Sequence, residues 1–128
     1  MNATVKDLFI QIYDLSPPEL DILFMLISRE KKEPMTLDEV SKEMDRDRST
    51  TFRSLQKLVS LGLVVKDTKT IKDGGYFHVY SAVDRDTFKR ETERRVKELQ
   101  KSLDRLVKKF ESDMQQAISS MYEKSNIS

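Results

Sequence analysis

Residues 36–65, TLDEVSKEMDRDRSTTFRSLQKLVSLGLVV, decide how this chain folds. Thr36 is followed three residues later by Glu39, the pattern of a capping box in which each side chain satisfies an orphan backbone N–H at a helix start. A helix therefore begins near Leu37, and Leu37, Val40 and Met44 give it one apolar stripe while Asp38, Lys42 and Glu43 stay in water. The stretch Met44-Asp45-Arg46-Asp47 ends it, because Asp45 tolerates the left-handed backbone of a turn and Asp47 is a good N-cap for the next helix. That second helix is expected from about Arg48 to Leu61. Gly62 then stands where a left-handed residue closes a helix, and Leu63, Val64 and Val65 open a strand.

Two short helices across a tight turn, running directly into a strand, spell a helix-turn-helix followed by a wing, an arrangement that carries one helix into the DNA major groove. The spacing assigns Thr51, Phe52, Leu55, Leu58 and Val59 to the inner side of the second helix, and Ser49, Thr50, Arg53, Ser54 and Lys57 to its outer side. Short hydroxyls and cations suit that outer side, since they approach phosphates and base edges and an arginine pairs bidentately with guanine. Thr36, Arg46 and Arg48, at the two helix starts and the turn, join the candidate DNA-contacting set. The bland alternative is a helical hairpin with an ordinary solvated face, which need not continue into Gly62 and a β-branched run.

Beyond Val65, Asp73-Gly74-Gly75 is a turn signal between two segments rich in β-branched and aromatic residues, so a hairpin is expected over about 63–83. Lys66, Lys69 and Lys72 lie along its arms and tip, within reach of a neighbouring phosphate or minor groove, or else serve to keep an edge soluble. The charge distribution favours the first use. The whole chain holds 23 Lys and Arg against 22 Asp and Glu, yet residues 46–80 carry 7 cations and 3 anions while residues 1–45 carry 5 and 10. Positive charge is thus concentrated on the second helix and the wing.

From Asp84, a helix N-cap, to about Tyr122 there is neither Gly nor Pro, and Glu, Lys, Arg, Leu and Gln dominate. Such a helix runs roughly 60 Å at about 1.5 Å per residue. Val96, Leu99, Leu103, Leu106 and Phe110 alternate three- and four-residue steps, and after one extra four-residue step Met114, Ala117 and Met121 resume them. That is a coiled-coil seam interrupted by a stutter, so these eight residues are the expected dimer interface. The alternative is a helix folded back onto the N-terminal helices of its own chain, or a mixture in which Phe88 and the first turns pack on the winged domain while the distal part crosses to a partner. At the other end, Val5, Leu8, Phe9 and Ile12 predict a short first helix, and Ser16-Pro17-Pro18-Glu19 a second capping box. The helix it opens carries Leu20, Leu23, Phe24, Leu26 and Ile27 and supports the helix-turn-helix; Arg29 to Pro34 is read as a charged loop.

These segments together resemble the small winged helix-turn-helix regulators of the TrmB-like and MarR/ArsR-like groups, many of them archaeal. The resemblance rests on ELDILFML at 19–26, RSTTFRSLQKL at 48–58 (with Leu55, Leu58 and Leu61 before Gly62, Leu63 and Val64), and YFHVYSAV at 76–83 before the long helix. It implies a homodimeric, sequence-specific transcription regulator, with Ser49, Thr50, Arg53 and their neighbours at base-reading and phosphate-contacting positions. Asp45, Arg46 and Asp47 depart from the small or apolar residues more usual in that turn. With the chain ending at Ser128, the separate sugar-sensing domain of full-length TrmB regulators is expected to be absent, so a small-molecule effector, if one is sensed, binds between the dimerisation helices and the winged domain or not at all.

Other chemistries find little in the sequence. With no cysteine there is no disulfide and no thiolate metal site, and the one histidine, His78, sits in a strand pattern between Tyr76 and Tyr80. Three glycines supply no phosphate-cradling loop, and no apolar run approaches the roughly 20 residues needed to span a bilayer. The expectation is a cytoplasmic, mainly α protein with a small β-wing: a winged domain at 1–83 and a dimerisation helix at 84–128. It binds double-stranded DNA and a second copy of itself, uses no metal or cofactor, and is not an enzyme. Two other uses of the same fold stay open, a protein-interaction module in a transcription or chromosome-associated assembly and a nonspecific chromatin-like DNA binder.

Overall fold

The computed structural model describes residues 2–29 and 33–127, the last three by backbone alone. Residues 30–32 of the charged loop expected at Arg29 to Pro34 lie outside the described residues. The elements are α1 (Ala3–Tyr13), α2 (Pro17–Ser28), α3 (Leu37–Met44), α4 (Arg48–Ser60), β1 (Val64–Thr70), β2 (Tyr76–Ala82) and α5 (Arg85–Ile127). The architecture is mainly helical with a two-stranded antiparallel wing, as the sequence predicts. The helix boundaries follow local chemistry. Both capping boxes form, Ser16 with Glu19 and Thr36 with Glu39. Asp45 takes a left-handed conformation at φ 51°, and the N–H of Arg46 returns to the carbonyl of Ser41 at 3.0 Å. At the end of α4, Gly62 has φ 76° and the N–H of Leu63 donates to Leu58 O at 3.1 Å, which reverses the chain into β1. A substituent on Gly62 would meet this backbone conformation, which side chains rarely adopt.

The wing pairs Val64 with Ala82 through to Thr70 with Tyr76. One extension was not foreseen: Met35, just before α3, pairs with Tyr80 through two backbone hydrogen bonds of 2.9 and 2.7 Å. The segment leading into the helix-turn-helix is thereby stitched to the base of the wing, so that hairpin and helices share one frame. The core gathers Tyr13, Leu15, Leu20, Leu23, Leu26, Met35, Val40, Leu55, Leu58, Leu63, Val64 and Tyr80, all nearly inaccessible. Burying this set drives the three helices α2, α3 and α4 together against the strands.

Two expectations about α4 are corrected. Phe52, placed inward by the sequence reading, is 37% exposed and stands outside the core cluster, whereas Ser54, placed outward, is 7% exposed. The buried face is set by Thr51, Ser54, Leu55 and Leu58, the i, i+3, i+4, i+7 positions of a single stripe; Phe52 lies about 100° round the helix from Thr51. Thr51 satisfies its buried hydroxyl by donating to Asp47 O at 2.8 Å. On α1, likewise, Val5 and Leu8 remain exposed, while Tyr13 at its C-terminal end and Leu15 just beyond supply the buried contacts.

The chain divides into two compact units, residues to Thr92 and residues from Glu93. The first two turns of α5 belong to the first unit. There Phe88 meets Phe9 edge-on at 5.7 Å, and Tyr13 and Thr92 share a hydroxyl hydrogen bond of 2.6 Å. Asp84 caps α5 by accepting from the N–H of Thr87 at 3.2 Å. In the second unit, Leu99, Leu103, Leu106, Phe110, Met114, Ala117 and Met121 are exposed and Val96 is half-buried. Val107, Ile118 and Tyr122 are also exposed and widen the apolar stripe beyond the expected eight residues. No described helix is long and apolar enough to cross a membrane.

Candidate nucleic-acid interface

The outer side of α4 is built by subtraction. With Thr51, Ser54, Leu55 and Leu58 turned inward, Ser49, Arg53, Gln56 and Ser60 are left exposed along the opposite face. Arg53, Gln56, Lys57, Val59 and Ser60 form one wall of an open recess whose other wall is Lys66 and Tyr80 of the wing. Strand alternation explains why Lys66 is there and Lys69 is not. Lys66 stands opposite Tyr80 on one face of the hairpin, and Lys69, an odd number of residues on, stands on the other, paired with Asp67 at 3.3 Å. Lys72 is exposed in the turn of the wing.

The remaining candidates divide by what they already hold. Thr36 is partly buried and its hydroxyl accepts the N–H of Glu39 at 3.2 Å, so it shapes the start of α3. Arg48 pairs with Asp38 at 3.0 Å, both side chains exposed. Arg46 and Thr50 are half-buried, and the N–H of Thr50 donates to Asp47 Oδ1 at 2.6 Å. Lys57 reaches from α4 to the carbonyl of Asp14 and to Glu19 Oε1, the latter at 3.3 Å. Its ammonium is anchored to the protein, which separates it from the more open Arg53. Gln56 was missed by the sequence reading; its position seven residues after Ser49 and three after Arg53 is the signal that would have found it.

The electrostatics of the helix starts come from hydrogen bonds to carboxylates. The Thr50 hydroxyl and N–H hold Asp47 below the usual carboxylate range, the Thr87 hydroxyl and N–H do the same for Asp84, and the Thr36 N–H and hydroxyl for Glu39. Burial pushes the Tyr80 phenol up, so it stays neutral at the foot of the recess. The surface between α4 and the wing therefore presents cations and hydrogen-bonding side chains over a neutral floor.

Comparison with known proteins supports this reading of the architecture. Residues 10–86 match the family model described as "Sugar-specific transcriptional regulator TrmB". An uncharacterized protein of Methanocaldococcus jannaschii is 31% identical over 80 residues, 62% of this chain and 58% of that protein, so the chain spans less than two thirds of that relative's length. Among solved structures, a possible transcriptional regulator from Methanosarcina mazei Go1 has a TM-score of 0.73 at 21% identity, covering 84% of this chain and 88% of that one. MepR of S. aureus, in a complex with DNA, has a TM-score of 0.53 at 13% identity, covering 91% of this chain and 88% of its own. At such identities the solved structures bear on the fold alone, a winged helix-turn-helix.

Proposed function

The chain belongs to the TrmB family of transcriptional regulators, and from that premise we propose that it binds double-stranded DNA as a homodimer. In this reading α4 lies in the major groove and the wing meets the backbone or minor groove. The observation that carries it is the recess in which Arg53 and Gln56 of α4 face Lys66 of the wing. Two structural elements converge there with cations suited to phosphate and guanine and an amide suited to adenine. Serine hydroxyls at 49 and 60 extend the surface along the helix. Arg46 and Lys72 add longer-range attraction, and Arg48 and Lys69 add theirs shared with Asp38 and Asp67.

The second copy is proposed to pack along the apolar stripe from Val96 to Met121, placing two recognition helices in successive major grooves roughly 34 Å apart on a two-fold symmetric site. A stripe with Leu103, Leu106 and Phe110 at 58%, 63% and 62% exposure is costly to leave in water, and a like stripe on a second chain covers it without a new partner type. For an effector, the place is an apolar recess of about 630 Å³ among Leu26, Ile27, Ala82, Val83 and Phe88, rimmed by Glu33, Asp84, Arg85 and Lys89.

A protein-interaction role is the second reading, and exposed Phe52 is the observation that favours it. The cations beside it weigh for DNA. Gel shifts with duplex DNA at low salt decide between the two. Retardation by the native chain, abolished on changing Arg53 and Lys66 to alanine, supports the regulator; no retardation at low salt overturns it.

A further inference from the structure

We infer that Phe52 reads the 5-methyl group of a thymine in the major groove, which makes it a specificity-determining residue beside Arg53 and Gln56. This rests on the DNA-binding reading of α4. Leu55 and Leu58 on the same helix are fully buried, yet Phe52 keeps 37% exposure and lies outside the core cluster. More than a third of its surface is thus left facing solvent. The helical spacing sets Phe52 beside Ser49 and Gln56, three residues before and four after, so it borders the same exposed surface. An aromatic ring bordering a polar strip of Ser49 and Gln56, with Arg53 beyond them, fits a partner that is anionic and also presents small apolar groups. The major groove is such a surface, with phosphates at its walls and the thymine methyl as the apolar mark on its floor.

The chemistry of the neighbours makes the expectation concrete. Arg53 pairs bidentately with the N7 and O6 of a guanine, Gln56 with the N6 and N7 of an adenine, and the Phe52 ring covers a thymine methyl. The preferred half-site thus contains a thymine whose methyl group contributes through burial and not through hydrogen bonding. Phe52 lies on the flank of the exposed strip and Arg53 nearer its centre.

The test uses the full chain. Its preferred duplex is selected from a randomised pool, and each thymine of that duplex is then replaced in turn by deoxyuridine, which lacks only the methyl. The native chain should lose about fourfold affinity per half-site at one thymine position, the contribution expected for one buried methyl. Phe52→Ala should bind the thymine and deoxyuridine duplexes equally, and Phe52→Leu, which keeps apolar surface, should retain part of the difference. Phe52→Leu keeps most of the ring's buried apolar area and should melt close to the native protein, while Phe52→Ala should melt somewhat lower; both are read for binding well below their melting temperatures. A native chain indifferent to every replacement, a selected site without thymine, or a Phe52→Ala variant that keeps the full difference overturns the assignment while leaving DNA binding intact. Failure to enrich any sequence overturns the sequence-specific regulator reading itself.

Discussion

Lys57 Nζ lies 3.3 Å from Glu19 Oε1, an ion pair that fastens the C-terminal half of α4 to the first turn of α2. The same carboxylate oxygen accepts the Ser16 N–H at 2.7 Å, so one nearly buried group serves both the capping box and the anchor of the recognition helix.

Removing the ammonium leaves that carboxylate short of a partner. Lys57→Ala is expected to lower stability by about 1 kcal/mol, the loss of a partly exposed ion pair whose carboxylate oxygen keeps the Ser16 hydrogen bond. Arg53→Ala, on the exposed side, should leave stability nearly unchanged and weaken DNA binding. Urea unfolding of the two variants beside gel shifts separates the anchoring cation from the contacting one.

Acid should loosen the helix starts together. Asp47, Asp84 and Glu39 have folded pKa values held below the usual range by their cap hydrogen bonds. For a depressed carboxylate, the stabilisation is fully present above the unfolded value of about 4 and is lost as pH falls through the folded value. The melting temperature should therefore hold from pH 7 to about 5 and fall below about pH 4, and an Asp47→Asn, Asp84→Asn double variant should show a shallower fall. Thermal melts followed by circular dichroism across this range check the direction.

The frame around α4 should tolerate little truncation. Leu58 is fully buried between the helices and the wing base, and Leu58→Ala is expected to cost about 2–5 kcal/mol. A cost under about 1 kcal/mol, read from denaturant midpoints, would mean the helix-turn-helix is not held by this core.

Self-association should depend on the exposed seam. Leu103→Asp with Leu106→Asp places charge on the stripe while touching no described core residue. Light scattering should give twice 15.0 kDa for the native chain and 15.0 kDa for the variant. A single-chain mass for the native protein would remove the dimer from the account.

The sequence made much of this legible because several signals are local. Capping at Ser16, Thr36 and Asp47, the left-handed Asp45, and Gly62 closing α4 each depend on a few neighbouring residues, and all appear where the spacing puts them. What escaped depends on the angle at which elements pack. A modest rotation about α4 exchanges Phe52 for Ser54, and both choices fit an amphipathic pattern in a helix that carries hydroxyls on two sides. The pairing of Met35 with Tyr80 joins positions remote in sequence, and Pro34 beside a charged loop disguised a strand-like residue. Among the candidate DNA-binding residues, alternation along the hairpin separates Lys66 from Lys69, and a distant acidic residue on α2 engages Lys57.

The most direct test of the central claim is the salt dependence of DNA binding, measured by fluorescence anisotropy on the selected duplex between about 50 and 200 mM salt. Affinity should fall steeply with salt. Arg53→Ala and Lys66→Ala should each reduce the slope of log affinity against log salt by about 0.9 for every phosphate that the missing cation would have neutralised. Binding that is absent at the lowest salt, or whose slope neither substitution changes, would contradict the assignment of the surface between α4 and the wing as the DNA interface.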